Sequence, residues 1–198
     1  MKAGCFRTTR RDLLPDLSEA TAQRIADRVR QVRREHDLVV ASIHWGGNWG
    51  YDVPRAHVRF AHWLVDSGVD VLHGHSSHHP RPIEVYRNRL ILYGCGDFID
   101  DYEGIEGYEG YRDDLVVMYV ATFCSTTGEV IALQMTPMQI RKMRLNRPSD
   151  ADAAWLRNVL DRVSAPFDTH IDLAPSATLT LRRGAPDRPP PAAADGRA

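Results

Sequence analysis

Histidines are the residues of this sequence whose type and spacing could do chemistry. The 198-residue chain contains nine of them, and five fall in two short glycine-bearing segments. These segments read His44-Trp45-Gly46-Gly47-Asn48-Trp49-Gly50 and His73-Gly74-His75-Ser76-Ser77-His78-His79-Pro80. Neutral imidazole nitrogens suit Zn, Mn or Fe, and several that converge from different loops define a transition-metal site. The sequence therefore predicts a divalent metal (Mn, Zn or Fe) bound by His44, His75 and His78.

The remaining histidines have simpler interpretations. A lone histidine is more often a hydrogen-bonded core residue than a ligand, so the metal hypothesis depends on the three acting together. His73 and His79 stay open as alternative ligands. His57 and His62 lie within a helical pattern and are expected to pack or to face solvent.

The elements that must position these histidines form an α/β pattern. Apolar residues follow Ser18 at helical spacing, and a second helical pattern opens at Pro54 and closes near Gly68. The first helical pattern is followed by the short β-branched run Leu38–Ile43, and the second by Val69–Leu72. We interpret both runs as buried, central strands. Alternation of helices and strands is typical of an α/β fold with parallel strands, and ligands of such sheets lie beyond the strands' carboxyl ends. Both histidine segments are expected there.

In the second half of the chain the predicted elements are mainly β-hairpins. Two hairpins are predicted, one on each side of Arg87-Asn88-Arg89 and of Thr127-Gly128, followed by a helix over Ala151–Val163 and a strand over Leu179–Leu181. From residue 184 onward Pro, Ala, Asp and Arg dominate, so a disordered tail (184–198) is expected after one domain (1–183).

Bulk composition excludes several classes of protein. The formal net charge is -1 and the isoelectric point is about 6.7, so no bulk field recruits nucleic acid or an anionic membrane. Three scattered cysteines give no disulfide framework and suit a reducing compartment. The start of the chain lacks the apolar stretch of a signal peptide, and no apolar run is long enough to span a membrane. A cytoplasmic location is the resulting expectation.

Four motifs in order resemble a known family. They are His44-Trp45-Gly46, Gly74-His75-x-x-His78, Ile83-Glu84-Val85-Tyr86 and Leu92-Tyr93-Gly94-Cys95-Gly96-Asp97-Phe98. Together they resemble the CapA, or poly-γ-glutamate capsule synthesis, family, which is similar to calcineurin-like metallophosphoesterases. The resemblance covers about residues 13–181 and implies part of an αββα sandwich with a mixed sheet. It also implies a metal-dependent hydrolase acting on a phosphoester or a polyanionic polymer.

The resemblance implies roles for individual residues. His44 and His75 match histidines that bind one metal ion in such phosphoesterases, and His78 matches a ligand of the other ion, although His79 remains an alternative. Asn48 stands where many relatives have Glu. Asp97 stands where many have Asn, and it is expected either to orient a ligand imidazole or to accept backbone amides of its own loop. Asn48, Asp97 and His79 are thus candidates for supporting the ligands or touching substrate.

One departure from the family pattern concerns the aspartates and the bridging carboxylate of a two-metal site. In the family these belong to the first half of the domain, and nothing before Thr9 resembles them. We therefore expect a C-terminal portion of the domain, with an incomplete metal site and no two-metal hydrolysis by this chain alone. The alternatives are a non-catalytic remnant or interaction protein, and one half of a split metallohydrolase. An uncovered sheet edge would favour self-association or a partner that supplies the N-terminal half.

Two further features of the sequence can each be interpreted in two ways. The acidic residues Asp100, Asp101, Glu103, Glu106 and Glu109 alternate with tyrosines, and they could replace missing carboxylates or form a solvated loop. Trp45 and Trp49 could stack on a flat ligand or pack in the core.

Overall fold

The computed structural model describes residues 17–33, 38–100 and 103–184. Its helices are α1 (Glu19–Arg33), α2 (Arg55–Asp66) and α3 (Asp150–Ser164). Its strands are β1 (Val40–His44), β2 (Val71–His75), β3 (Ile83–Tyr86), β4 (Arg89–Leu92), β5 (Leu115–Phe123), β6 (Val130–Ile140), β7 (Leu145–Asn146), β8 (Thr169–Leu173) and β9 (Leu179–Arg183). The α/β class predicted from the sequence is confirmed.

The two helices of the first half begin where the sequence signals place them. The Ser18 hydroxyl accepts a hydrogen bond from the Thr21 amide at 3.4 Å, which caps α1. Pro54 directly precedes α2, where its missing N–H costs nothing, and the chain turns after Ser67 through Gly68 at a φ of 113°.

A mixed sheet carries both histidine segments. Its order is β1-β2-β4-β3, with β1, β2 and β4 parallel and β3 antiparallel to β4. The prediction that β1 is a buried, central strand is wrong for the described part of the chain, because β1 lies at the edge and its alternate residues are only partly buried. Ser42 and His44 on its second face explain this, since polar side chains there do not suit a covered surface. The predicted end of β2 is also wrong, because His73 and His75 lie within the strand rather than after it.

The second half forms an antiparallel sheet of order β5-β6-β9-β8, with β7 paired to β6. Both predicted hairpins, α3 and β9 are confirmed, whereas the sequence analysis missed β7 and β8. The turn between β3 and β4 places Arg87 and Asn88 at φ values of 48° and 62°, the left-handed pair that matches the twist of a hairpin. The proposed disordered tail lies outside the described residues except for Gly184.

The core has two parts, one on each face of the mixed sheet. Alternate residues of a strand point to opposite faces, so Leu72 and Ile91 pack under α1 and α2. Val71, Leu90 and Leu92 belong to the second part, together with apolar residues of the antiparallel sheet and α3. This arrangement holds the mixed sheet between helices and a second sheet.

Asp70 joins the segments that lead into the sheet. Its carboxylate is buried, accepts a hydrogen bond from the Val39 amide at 2.9 Å, and forms ion pairs with Arg33 of α1 and with Arg89 of β4. The start of β2 is therefore tied by side-chain contacts to α1, to the residue before β1 and to β4.

Among the described residues, no helix has the length and apolar character needed to cross a membrane.

Candidate functional site

The register of β1 and β2 brings two predicted ligands side by side. His44 pairs with His75 and Ser42 with His73, so these side chains share one face of the sheet at the carboxyl ends of two parallel strands. The His44 and His75 ring centroids are 5.2 Å apart with an interplanar angle of 71°. His73 lies next in the row, 5.6 Å from His75, and its Nδ1 is 2.9 Å from the Ser42 hydroxyl.

Burial favours the neutral form of two of these imidazoles, His73 and His75. Burial lowers the pKa of His75, and the neighbouring His44 lowers it further. The pKa of His73 is lowered in the same way, by burial first and then by His75. A neutral imidazole keeps a lone pair, which is the form that can bind a metal ion.

His78 belongs to a hydrogen-bonded group with Asn48 and Asp97. Its Nδ1 lies 2.8 Å from Asp97 Oδ2, and its Nε2 lies 3.3 Å from Asn48 Nδ2. A carboxylate accepts, so Nδ1 carries the proton and Nε2 accepts a hydrogen bond from the Asn48 side-chain amide. The expected contact between Asp97 and a candidate ligand imidazole is therefore present, and it fixes the tautomer of His78.

His79 occupies a different environment. Its side chain is fully buried, and its ring packs against Trp49, Tyr51 and Tyr111. Nδ1 donates to the Pro80 carbonyl at 3.0 Å, which leaves Nε2 as an acceptor without a hydrogen-bond partner. Burial lowers the pKa of His79 to about 4. Of the two neighbours that the sequence left open, only His78 is placed beside Asn48 and Asp97.

Both helical histidines pack, as predicted. His57 stacks on Trp45 with ring centroids 4.8 Å apart. His62 contacts the buried Glu84 at 2.7 Å and stacks on Tyr86.

The tryptophans pack, too. Trp45 is buried and its indole N–H donates to the Tyr93 carbonyl at 3.1 Å. Trp49 stacks on Tyr108, with the ring centroids 4.2 Å apart.

Two carboxylates of the acidic loop accept hydrogen bonds from backbone amides. Glu103 accepts a hydrogen bond from the Met143 amide, and Glu109 accepts one from Gly107, which lowers the pKa of Glu109. These contacts favour the interpretation as an ordinary loop for these two residues. Asp101 lies outside the described residues. Asp113, which the sequence analysis did not single out, is buried, and this burial raises its pKa, although the Ile105 amide and His78 act in the opposite direction.

The donor set fits a metal ion only in part. Among the described residues, no group of three or more His, Cys, Asp or Glu side chains is arranged to hold an ion. His44 and His75 supply two adjacent imidazoles, a donor type that suits Zn, Mn or Fe. The metal site predicted from His44, His75 and His78 therefore stays a prediction.

Arg81 is a second residue that the sequence analysis missed. It is only 5% exposed, although it follows directly on the histidine segment. One of its guanidinium nitrogens donates to the Asp52 carbonyl, and its Nε has no partner. A single arginine in a Pro-rich segment gives no sequence signal of burial.

The fold and the row of histidines define an α/β protein with an imidazole cluster at the carboxyl ends of parallel strands. Comparison with known sequences agrees with the motifs. The model of the family "Bacterial capsule synthesis protein PGA_cap" matches residues 5–102, and the chain belongs to this family.

Curated relatives carry related names. The chain is 45% identical over 180 residues to two proteins of Mycobacterium tuberculosis strains named "Probable polyglutamine synthesis accessory protein". That alignment covers 87% of this chain and 45% of each relative, so the chain spans less than half of their length. It is also 32% identical over 91 residues to the "PGA biosynthesis protein CapA" of Bacillus subtilis, covering 46% of this chain and 23% of that protein.

Proposed function

We propose that this chain contributes a metal-dependent, phosphoesterase-like hydrolase site to the synthesis of a capsule polymer of the poly-γ-glutamate type. The observation that supports the proposal most is the in-register pair His44 and His75 at the carboxyl ends of two parallel strands. Open α/β sheets bind ligands at this edge. The names of the relatives suggest the polymer, and the substrate group would be a phosphoester or another anionic group of it.

In this proposal each polar residue has a defined task. His44 and His75 would bind the ion through neutral imidazole nitrogens, and His78 would join them with its proton held on Nδ1 by Asp97. Once bound, a divalent ion lowers the pKa of its water and stabilises charge on a phosphoryl or acyl oxygen. A carboxylate that bridges two ions is not among the described groups near these histidines. The site would therefore hold one ion, unless a partner polypeptide supplies further ligands.

A second candidate is a non-catalytic interaction protein that keeps the fold. The observation favouring it is that polar side chains expected to bind metal or substrate instead form hydrogen bonds within the protein. Asn48 and Asp97 contact both ring nitrogens of His78, and the carboxylates of Glu103 and Glu109 accept backbone amides. Such a protein would need neither metal nor turnover for its role in capsule synthesis.

Metal content of purified protein tests the first proposal. After equilibration with Zn or Mn at about pH 7.5, we expect one equivalent or less, and weaker retention below about pH 6 as the histidines protonate. The double variant His44→Ala/His75→Ala should lose the metal. His170→Ala is the matched control, because His170 pairs with Asp161 on the antiparallel sheet. Equal metal content in the wild type and the double variant would refute the site.

Hydrolysis of p-nitrophenyl phosphate by the same samples separates the alternatives. With a single ion and no bridging carboxylate, turnover should stay near background with any divalent metal. Robust turnover that His75→Ala abolishes would instead mean that the chain holds a complete site. Absence of both metal binding and turnover would favour the interaction protein.

A further inference from the structure

The loop that follows β1 lies over a buried positive charge. The Arg81 side chain is 5% exposed, yet it forms no ion pair with any carboxylate of the described residues. Its acceptor is the Asp52 carbonyl, and Nε has no partner. The Asp52 carboxylate acts on this guanidinium through space without forming an ion pair, and burial is the larger effect, so the pKa of Arg81 is lowered. Burying a cation that has no ion-paired carboxylate is costly, because the guanidinium loses its hydration. An anion bound nearby would offset that cost.

Gly46 separates this guanidinium from solvent. A Cβ at Gly46 would lie 2.7 Å from Arg81 Nη1, so the charged group reaches the underside of the loop where no side chain intervenes. The φ of Gly46 is +75°, a conformation that glycine adopts without strain. Gly46, Gly47 and Asn48 are all exposed, so the loop backbone is open to a ligand directly above the charge.

The loop above Arg81 also offers backbone N–H groups that could bind an anion. In the part of the chain that the structure describes, no backbone carbonyl accepts the amide of Gly46 or of Gly47. The His57 ring is 3.6 Å from the position of a Gly46 Cβ, and Arg81 lowers its pKa in addition to the effect of burial. Exposed amides over a cation bind oxyanions well, because charge-assisted hydrogen bonds are stronger than neutral ones.

We propose that Gly46 and Gly47, backed by Arg81, form an oxyanion-binding subsite for a phosphate or carboxylate group of the substrate. The subsite begins two residues after His44, in the loop that follows β1. This inference deepens the proposed function by naming the substrate group that the site accepts. It depends on that function only for the identity of the substrate, since anion binding by Arg81 needs no metal.

Binding of two probes to the metal-free chain tests the proposal. Inorganic phosphate and γ-linked triglutamate are titrated separately, in chelator and at constant ionic strength, while the fluorescence of Trp45 and Trp49 and the melting temperature are followed. We expect saturable binding of at least one probe, and the two arms decide whether phosphate or carboxylate is preferred. Absence of saturable binding of both, or binding only after Mn is added, would overturn the subsite.

Charge-matched variants locate the binding. Arg81→Met should weaken binding about tenfold or more, and Arg81→Lys should have an intermediate effect because it keeps the charge but loses the planar fork. Arg162→Met is the control, because it removes the same charge from an exposed arginine that lies over the Tyr51 ring. Equal affinities of Arg81→Met and Arg162→Met would refute the role of Arg81.

A loop variant keeps the test decisive if Arg81→Met does not fold. A Cβ at Gly47 meets only the Trp49 carbonyl oxygen, at 3.6 Å, so Gly47→Asp adds a carboxylate to the proposed anion-binding loop without a clash. It should lower the affinity for both probes about tenfold or more, whereas Gly110→Asp, at an open position, should not. Unchanged binding by Gly47→Asp would place the anion elsewhere.

Discussion

Gly74 stands between His73 and His75 in β2, and its lack of a side chain lets β4 and Trp45 approach the strand. A Cβ at this position would lie 2.5 Å from the Tyr93 carbonyl oxygen, 2.6 Å from Trp45 Nε1 and 2.8 Å from the Leu92 carbonyl oxygen. Two of these atoms are backbone, and the third is the indole nitrogen that donates to Tyr93. Gly74→Ala must therefore push β2 away from the end of β4.

The cost follows from these contacts. Overpacking a rigid site costs about 1–3 kcal/mol, and loss of the hydrogen bond between Trp45 and Tyr93 adds about 1 kcal/mol. The reduced freedom of the unfolded chain returns about 0.4–1 kcal/mol. We expect a net loss of about 1–3.5 kcal/mol in the free energy of unfolding, or a fall of about 3–12 °C in Tm.

Urea unfolding followed by tryptophan fluorescence measures this change. Gly110→Ala is the matched control, because a Cβ there meets nothing within 4 Å, and it should be neutral or slightly stabilising. The displacement should also disturb His75, so the metal content of Gly74→Ala should fall below that of the control. Equal stability of the two variants would refute the close approach of β4 to Gly74.

Two further changes test the charges of the fold. Asp70→Ala removes the buried carboxylate that pairs with two arginines, so it should cost about 3–5 kcal/mol in urea unfolding. Asp172→Ala, which breaks the exposed pair with Arg182, should cost less than about 1 kcal/mol. An equal cost for the two would contradict the buried pairing. His79, whose pKa is about 4 in the folded chain, stays neutral while the unfolded chain gains a proton below about pH 6.5. The free energy of unfolding should therefore fall between about pH 6.5 and pH 4, by at most about 3 kcal/mol from this residue. His79→Phe should reduce that slope, and an unchanged slope would show that His79 does not titrate in this way.

Local pattern in the sequence determined most of the elements and the general location of the site. Apolar periodicity, together with Ser18, Pro54 and Gly68, fixed the first two helices, because caps and helix breakers act within a few residues. The β-branched runs located β1 and β2. Since parallel strands end at one edge of a sheet, they also located His44 and His75 near each other.

Tertiary structure decided which neighbours face the site. The sequence could not choose between His78 and His79, because adjacent side chains point to opposite sides and only packing against Trp49, Tyr51 and Tyr111 shows which side is the core. The edge position of β1 and the existence of β8 were likewise missed, since pairing partners distant in sequence determine both.

The buried charge of Arg81 depends on structure alone. Its environment comes from Gly46 and Asp52 in the loop between β1 and α2, and from Gly94 after β4. The contact between Asp97 and His78 joins residues that a hairpin separates in sequence. Residue type and local spacing nominated His78 and Asp97 as chemical groups, but they did not nominate Arg81. Long-range packing alone determines what each touches, because burial and charge neighbours arise only after distant segments meet.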